Sequence, residues 1–119
     1  MTVARLSKSA LKKILQGRVS EEATCVIKFY SNSCHYCHEL HEPYAKLAGD
    51  FEGIYFFAFN ITDYPEVEQI VGFQGIPTLC VVKTGNSTPT RRVMPDPKTP
   101  HKKMWYHPKD IRKFIEKEK

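Results

Sequence analysis

Stretches of consecutive apolar residues alternate along the chain with stretches whose apolar residues recur every three or four positions. The first kind reads as buried strand and the second as helix with one face on a core. Thr2 to Leu6 alternates weakly and predicts a short first strand. Ser7 is an N-cap for a helix over residues 8–16, whose Leu11, Ile14 and Leu15 share a face, and Gly17 ends it. Residues 24–30, containing Cys25-Val26-Ile27-Lys28-Phe29-Tyr30, predict a second strand buried on both faces. A helix follows from the pair Cys34 and Cys37 to about Gly49, with a bend expected between Glu39 and Pro43 because proline removes a backbone donor. Ile54 to Ile61 is a third strand, residues 65–71 a short helix ended by Gly72, and Thr78 to Lys83 a fourth strand. Four of the eight prolines fall in residues 87–101, which predicts an extended surface loop, with Arg91 to Met94 as a lesser strand candidate. Lys102 to Tyr106 is the preferred fifth strand, and Pro108 opens a last helix with Ile111, Phe114 and Ile115 on one face. The order is βαβαβα followed by ββα, an α/β layered domain with a parallel and an antiparallel part.

The 119 residues suffice for one domain with a real core, so the whole chain, 1–119, is expected to be a single domain. No run approaches the roughly 18 apolar residues of a membrane-spanning helix, and no membrane partner is expected. The N-terminal residues show no secretory signal, which makes the cytoplasm the expected compartment. Of the four cysteines, Cys25 and Cys80 lie inside apolar runs and read as small buried hydrophobes. The formal charge of +5 is uneven: residues 1–83 hold 8 basic and 9 acidic side chains, residues 84–119 hold 10 basic and 4 acidic. That basic end could attract an anionic partner, but no basic module with interleaved aromatics stands out, and nucleic acid is not expected. A solvated basic face is the plainer reading.

The close pair in Ser33-Cys34-His35-Tyr36-Cys37-His38 needs a chemical explanation, and three are open. A redox dithiol is one: residues three apart on a helix share a face, near enough for a disulfide. A metal site is another, since Cys34, Cys37, His38 and His41 form one helical stripe of zinc-ligand types. Four tetrahedral ligands from one helix are geometrically awkward, and exposed helix surface is the plainer reading of both histidines. The third is haem attachment, which Cys34-x-x-Cys37-His38 matches letter for letter, though nothing else supplies a haem pocket. No metal and no cofactor are expected.

Four features in order resemble the thioredoxin family: an apolar strand ending in Phe29-Tyr30, the cysteine pair opening a helix, Asn60-Ile61 closing the next strand, and Gly75-Ile76-Pro77-Thr78 before the fourth. The match covers about residues 3–83 well and the last helix loosely. The resemblance implies a thioredoxin-like fold with a five-stranded mixed sheet in the order 1-3-2-4-5, flanked by about four helices. It implies that Cys34 attacks a substrate disulfide and Cys37 resolves the mixed disulfide. Pro77 falls on the family's cis-proline, whose backbone faces the cysteines and pairs with substrate chain, so Ile76 and Pro77, with His35 and Tyr36, are candidate substrate contacts. Protein disulfides are the implied substrates, a thioredoxin reductase or another dithiol donor the implied partner, and a monomer the implied state.

The departures from the family are specific. Ser33 stands where a tryptophan is usual, His35-Tyr36 where Gly-Pro is usual, and Pro43 comes one residue late. The family's buried carboxylate aligns with Lys28 and its lysine partner with Ala58, which inverts the charge beneath the cysteines. At a helix N-terminus the Cys34 thiolate is stabilised by the backbone dipoles. A protonated His35 and a charged Lys28 would add to that and raise the potential above the about −270 mV of thioredoxin. A neutral Lys28 would instead accept the Cys37 proton, whereas a lysine whose amine reaches water would do neither. Two alternatives remain: a binding module acting through the basic segment 87–109, and a glutaredoxin-like, glutathione-dependent reductase, to which Tyr36 before the second cysteine is similar.

Overall fold

The computed structural model describes residues 3–119. The weak first strand is observed as β1, Ala4–Arg5; the notional Thr2 start lies outside the described residues. Ser7 caps α1, Lys8–Leu15, its hydroxyl accepting from Ala10 N at 3.1 Å. β2 is Thr24–Tyr30, α2 His35–Asp50 and β3 Ile54–Asn60. A 3-10 turn, Ile61–Asp63, leads to the short α3, Val67–Val71, which ends on Gly72 in the left-handed conformation. β4 is Thr78–Lys83 and α4 is Pro108–Glu118, with Pro108 in its first turn. α2 runs as one helix through Pro43, the residue at which a bend is expected.

The fifth strand differs from the expectation. It is Thr90–Val93, which overlaps the lesser candidate Arg91 to Met94 inside the stretch read as loop, and the preferred Lys102 to Tyr106 is not a strand. A short turn after Lys83 lets the chain fold straight back on β4, pairing Lys83 with Thr90 through Cys80 with Val93. Met94 N extends that ladder to Leu79 O at 2.8 Å. Proline punctuation ranked this four-residue edge strand too low; its Arg91 and Arg92 face water, a composition that discourages edge-to-edge pairing. Residues 101–105 instead close on themselves through a bridge between His101 and Trp105.

The five strands form one sheet in the order β1-β3-β2-β4-β5. β1, β3 and β2 are parallel; β4 and β5 run antiparallel to their neighbours. Side chains alternate across the central strand. Val26 faces a core built with Leu40, Tyr44 and Leu47 of α2 and Ile111 and Ile115 of α4. Ile27 and Phe29 face the other core, with Leu11 and Ile14 of α1 and Val67 and Val71 of α3. Because β4 is antiparallel to β2, pairing Phe29 with Thr78, the start of β4 lies at the end of β2. That register brings Pro77 to the same edge of the sheet as the cysteines.

Candidate active site

Cys34 is the N-cap of α2, in extended backbone, and its Sγ accepts from Cys37 N at 3.1 Å. The two residues are 5.2 Å apart at Cα and joined as a disulfide. Cys34 is partly exposed, whereas Cys37 is buried at 2% exposure. An exposed sulfur at a helix N-terminus and a buried one a turn below it have different chemistry: the first is open to attack or to attack others, the second only to its neighbour. The Ile76–Pro77 peptide is cis, and Ile76 O lies 3.8 Å from Cys34 Sγ. Ile76 is half-buried and Pro77 buried. The turn carrying them is braced by Glu68, whose carboxylate accepts from Gly75 N at 2.8 Å, and by Thr78 Oγ1, which donates to Gly75 O at 2.8 Å.

Lys28 lies two residues before the end of β2, directly in register with Ala58 of β3, and is 3% exposed. Its Nζ sits over the Tyr44 ring at 5.0 Å and the Tyr30 ring at 5.7 Å. Burial alone lowers its pKa from the usual 10.5 to about 8. Lys28 and Cys37 line one open cleft of about 620 Å³, together with Tyr30, His38, His41 and Glu42. Lys28 thus borders the cleft that Cys37 also lines, with all but 3% of its surface packed away from water.

His35 and Tyr36 are exposed, and His35 Nε2 lies 3.9 Å from a carboxylate oxygen of Glu39 one turn on. Among the described residues no three His, Cys, Asp or Glu side chains gather as a metal site. Cys25 and Cys80 are free and buried, their pKa values pushed up by burial to about 11 and about 12. The structure thus brings Cys34, Cys37, Ile76, Pro77 and Lys28 to one end of the sheet. One side chain escaped the sequence reading: Trp105, whose ring centroid is 5.8 Å from that of Tyr36. Its signal was present as the single tryptophan of the chain, set in a basic, proline-rich stretch.

A mixed sheet in this order, with a close cysteine pair capping the helix after its central strand, defines a thioredoxin-like fold carrying a redox-type pair. A thioredoxin family profile matches residues 2–101, and the chain belongs to that family. No curated protein sequence matches it significantly. Among solved structures it is similar to the Trx4 domain of ERdj5 at a TM-score of 0.73 and 16% identity, over 98% of this chain and 95% of that one. It is also similar to the J-Trx1 fragment of ERdj5 (TM-score 0.70, 16% identity, 97% of this chain), although it spans only 49% of that fragment. A thioredoxin from Trypanosoma brucei brucei matches at a TM-score of 0.69 and 17% identity, over 98% of this chain and 89% of that one. These likenesses extend to the fold. The family and the close pair together support a thiol–disulfide oxidoreductase in general terms.

Proposed function

We propose that the protein reduces disulfides in other proteins through a Cys34/Cys37 couple. The observation that carries this reading is the asymmetry of the pair: Cys34 Sγ is partly exposed, accepts the Cys37 N–H, and faces Ile76 O, while Cys37 is buried behind it. In the reduced protein the Cys34 thiolate attacks one sulfur of the substrate disulfide. A mixed disulfide forms and the other substrate sulfur leaves as a thiolate. Cys37 then gives up its proton and attacks Cys34 Sγ, which releases the second substrate sulfur. Two electrons have passed to the substrate, and Cys34 and Cys37 are left as the disulfide.

Lys28 serves this cycle as the acceptor of the Cys37 proton. Its pKa, lowered by burial to about 8, supports that role, because the neutral amine becomes available as pH rises toward 8 and not only above 10. Ile76 and Pro77 offer backbone to the substrate chain, and His35 and Tyr36 border the entry to Cys34. A thioredoxin reductase or another dithiol donor returns the electrons, and the protein works as a monomer in the cytoplasm. The test is insulin reduction, with electrons supplied either by NADPH and thioredoxin reductase or by glutathione, and with Cys34→Ser as control. Turnover with the reductase that vanishes in Cys34→Ser supports the reading. Turnover only with glutathione would make the protein glutaredoxin-like, and no turnover with either would overturn the enzymatic assignment.

A further inference from the structure

Trp105 occupies a backbone conformation unusual for anything but glycine, at φ 68°. Such a residue persists only when its surroundings hold it. Here the hold is specific. His101 N donates to Trp105 O at 2.9 Å, and Trp105 N donates to His101 O at 3.1 Å. The His101 ring closes the turn from inside, its Nδ1 accepting from Lys103 N at 3.0 Å. The rings of His101 and His107 meet edge to face at 5.1 Å, and His107 Nε2 lies 2.9 Å from Thr99 O. Next in the chain, the buried Tyr106 sets its phenol beside Thr78, the residue after Pro77, and donates to Met94 O at 3.3 Å.

Two neighbouring residues of one turn therefore touch the two halves of the site, Trp105 meeting Tyr36, one of the two residues between the cysteines, and Tyr106 the segment after Pro77. The turn also carries Lys102 and Lys103, both exposed and neither in an ion pair among the described residues. At this end of α2 a Glu39 carboxylate oxygen lies 3.9 Å from His35 Nε2. Ser33 leaves the approach to Cys34 without an aromatic from its own side.

We propose that Trp105, packed against Tyr36 with the two rings tilted by 51°, is a specificity-determining wall of the substrate site, and that Lys102 and Lys103 beside it select disulfides whose flanking sequence is acidic. The occupant is an extended acidic segment of a disulfide-bonded protein. Charge complementarity with the basic turn argues for it, and an amphipathic aromatic wall favours a peptide over a small thiol. This inference rests on the reductase reading above, deepening its substrate class.

The test compares three substrates of the full chain regenerated by dithiothreitol. Two are peptides with one cysteine in disulfide linkage to a fluorescent reporter, flanked by Glu-Glu or by Lys-Lys. The third, bis(2-hydroxyethyl) disulfide, is neutral and too small to reach the wall. The wild type should prefer the acidic peptide by roughly tenfold in kcat/KM, expressed in KM. Trp105→Ala should lose roughly tenfold on both peptides and little on the small disulfide, and Trp105→Phe should restore part of the loss. Lys102→Glu with Lys103→Glu, both on the surface, should remove or reverse the charge preference without altering the fold. Equal rates on the two peptides in the wild type, or equal losses on all three substrates in Trp105→Ala, would overturn the proposal. Failure of the wild type on all three substrates would sink the reductase reading itself, which separates the two claims. Should Trp105→Ala not fold, the charge-reversed variant decides.

Discussion

Lys28 places an ammonium group in a strand whose neighbours on both sides are apolar, and the cost of that choice depends on pH. Burial lowers its pKa from 10.5 to about 8, so the unfolded chain binds this proton more tightly than the folded one. Below pH 8 both states are charged and the full penalty applies. Between pH 8 and 10.5 only the unfolded chain keeps the proton, so stability climbs with pH, and above 10.5 the penalty is gone. A difference of that size is about 3 kcal/mol, reduced by the contacts of Nζ with the Tyr44 and Tyr30 rings. Lys28→Met should therefore stabilise the protein at pH 7 by up to about 3 kcal/mol, and the gain should fade by pH 10.5. Denaturant unfolding at the two pH values checks this. Cys25 and Cys80, with raised pKa values, act in the opposite sense but are common to both proteins and cancel in the difference. A gain of equal size at both pH values would show that the amine is as wet as in the unfolded chain. The same substitution should slow resolution of the mixed disulfide by at least about tenfold, and Cys34 attack much less. In the wild type, resolution should quicken as pH rises through 8, where the amine becomes neutral; stopped-flow single turnovers distinguish the two steps. Of the four thiols in the reduced protein, Cys25 and Cys80 should react with an aromatic disulfide reagent only on unfolding, since both are buried and held protonated.

At the scale of elements, periodicity carried most of the chain. β2, β4 and α4 are where unbroken apolar runs or a one-faced helix predicted them, because burial on two faces or one leaves that signature in composition alone. β5 was harder to read because it is an edge strand of four residues, with Arg91 and Arg92 exposed, and its identity depends on the free edge of β4, a property of the assembled sheet. Trp105 was hidden for a related reason: its place is set by a local turn and by contact with Tyr36, neither of which has a period. Gly17 is an element boundary with a second duty. It has φ 72°, and a Cβ there would run into the backbone of Ser87, in the turn between β4 and β5. Gly53 has a similar φ, 76°, with open space around it. Both alanine substitutions carry the left-handed penalty of about 1–2 kcal/mol, but Gly17→Ala must also displace the 87 turn. It should lower the melting temperature clearly more than Gly53→Ala, and equal losses would mean that the turn yields freely.

At the scale of the whole molecule, the sheet order explains why residues some 40 positions apart form one site. β2 and β4 are antiparallel neighbours, so the end of one and the start of the other share an edge, and Cys34 and Pro77 meet there. That meeting was legible in the sequence because the motifs flank the strands: the cysteines follow Tyr30 and Ile76-Pro77 precedes Thr78. Lys28 was legible as an inverted charge, but whether its amine reached water was not, since that depends on the cleft formed by α2 with β1 and β3. The family and the pair support thiol–disulfide chemistry, and the claim most open to refutation is the division of labour between the two cysteines. It is tested by trapping. Reduced Cys37→Ser protein, mixed with a disulfide-bonded protein substrate, should accumulate a covalent mixed disulfide through Cys34, visible by intact mass and reversed by dithiothreitol. Cys34→Ser should form none. A stable adduct on Cys37 in the Cys34→Ser protein, with none on Cys34 in the other, would contradict the account.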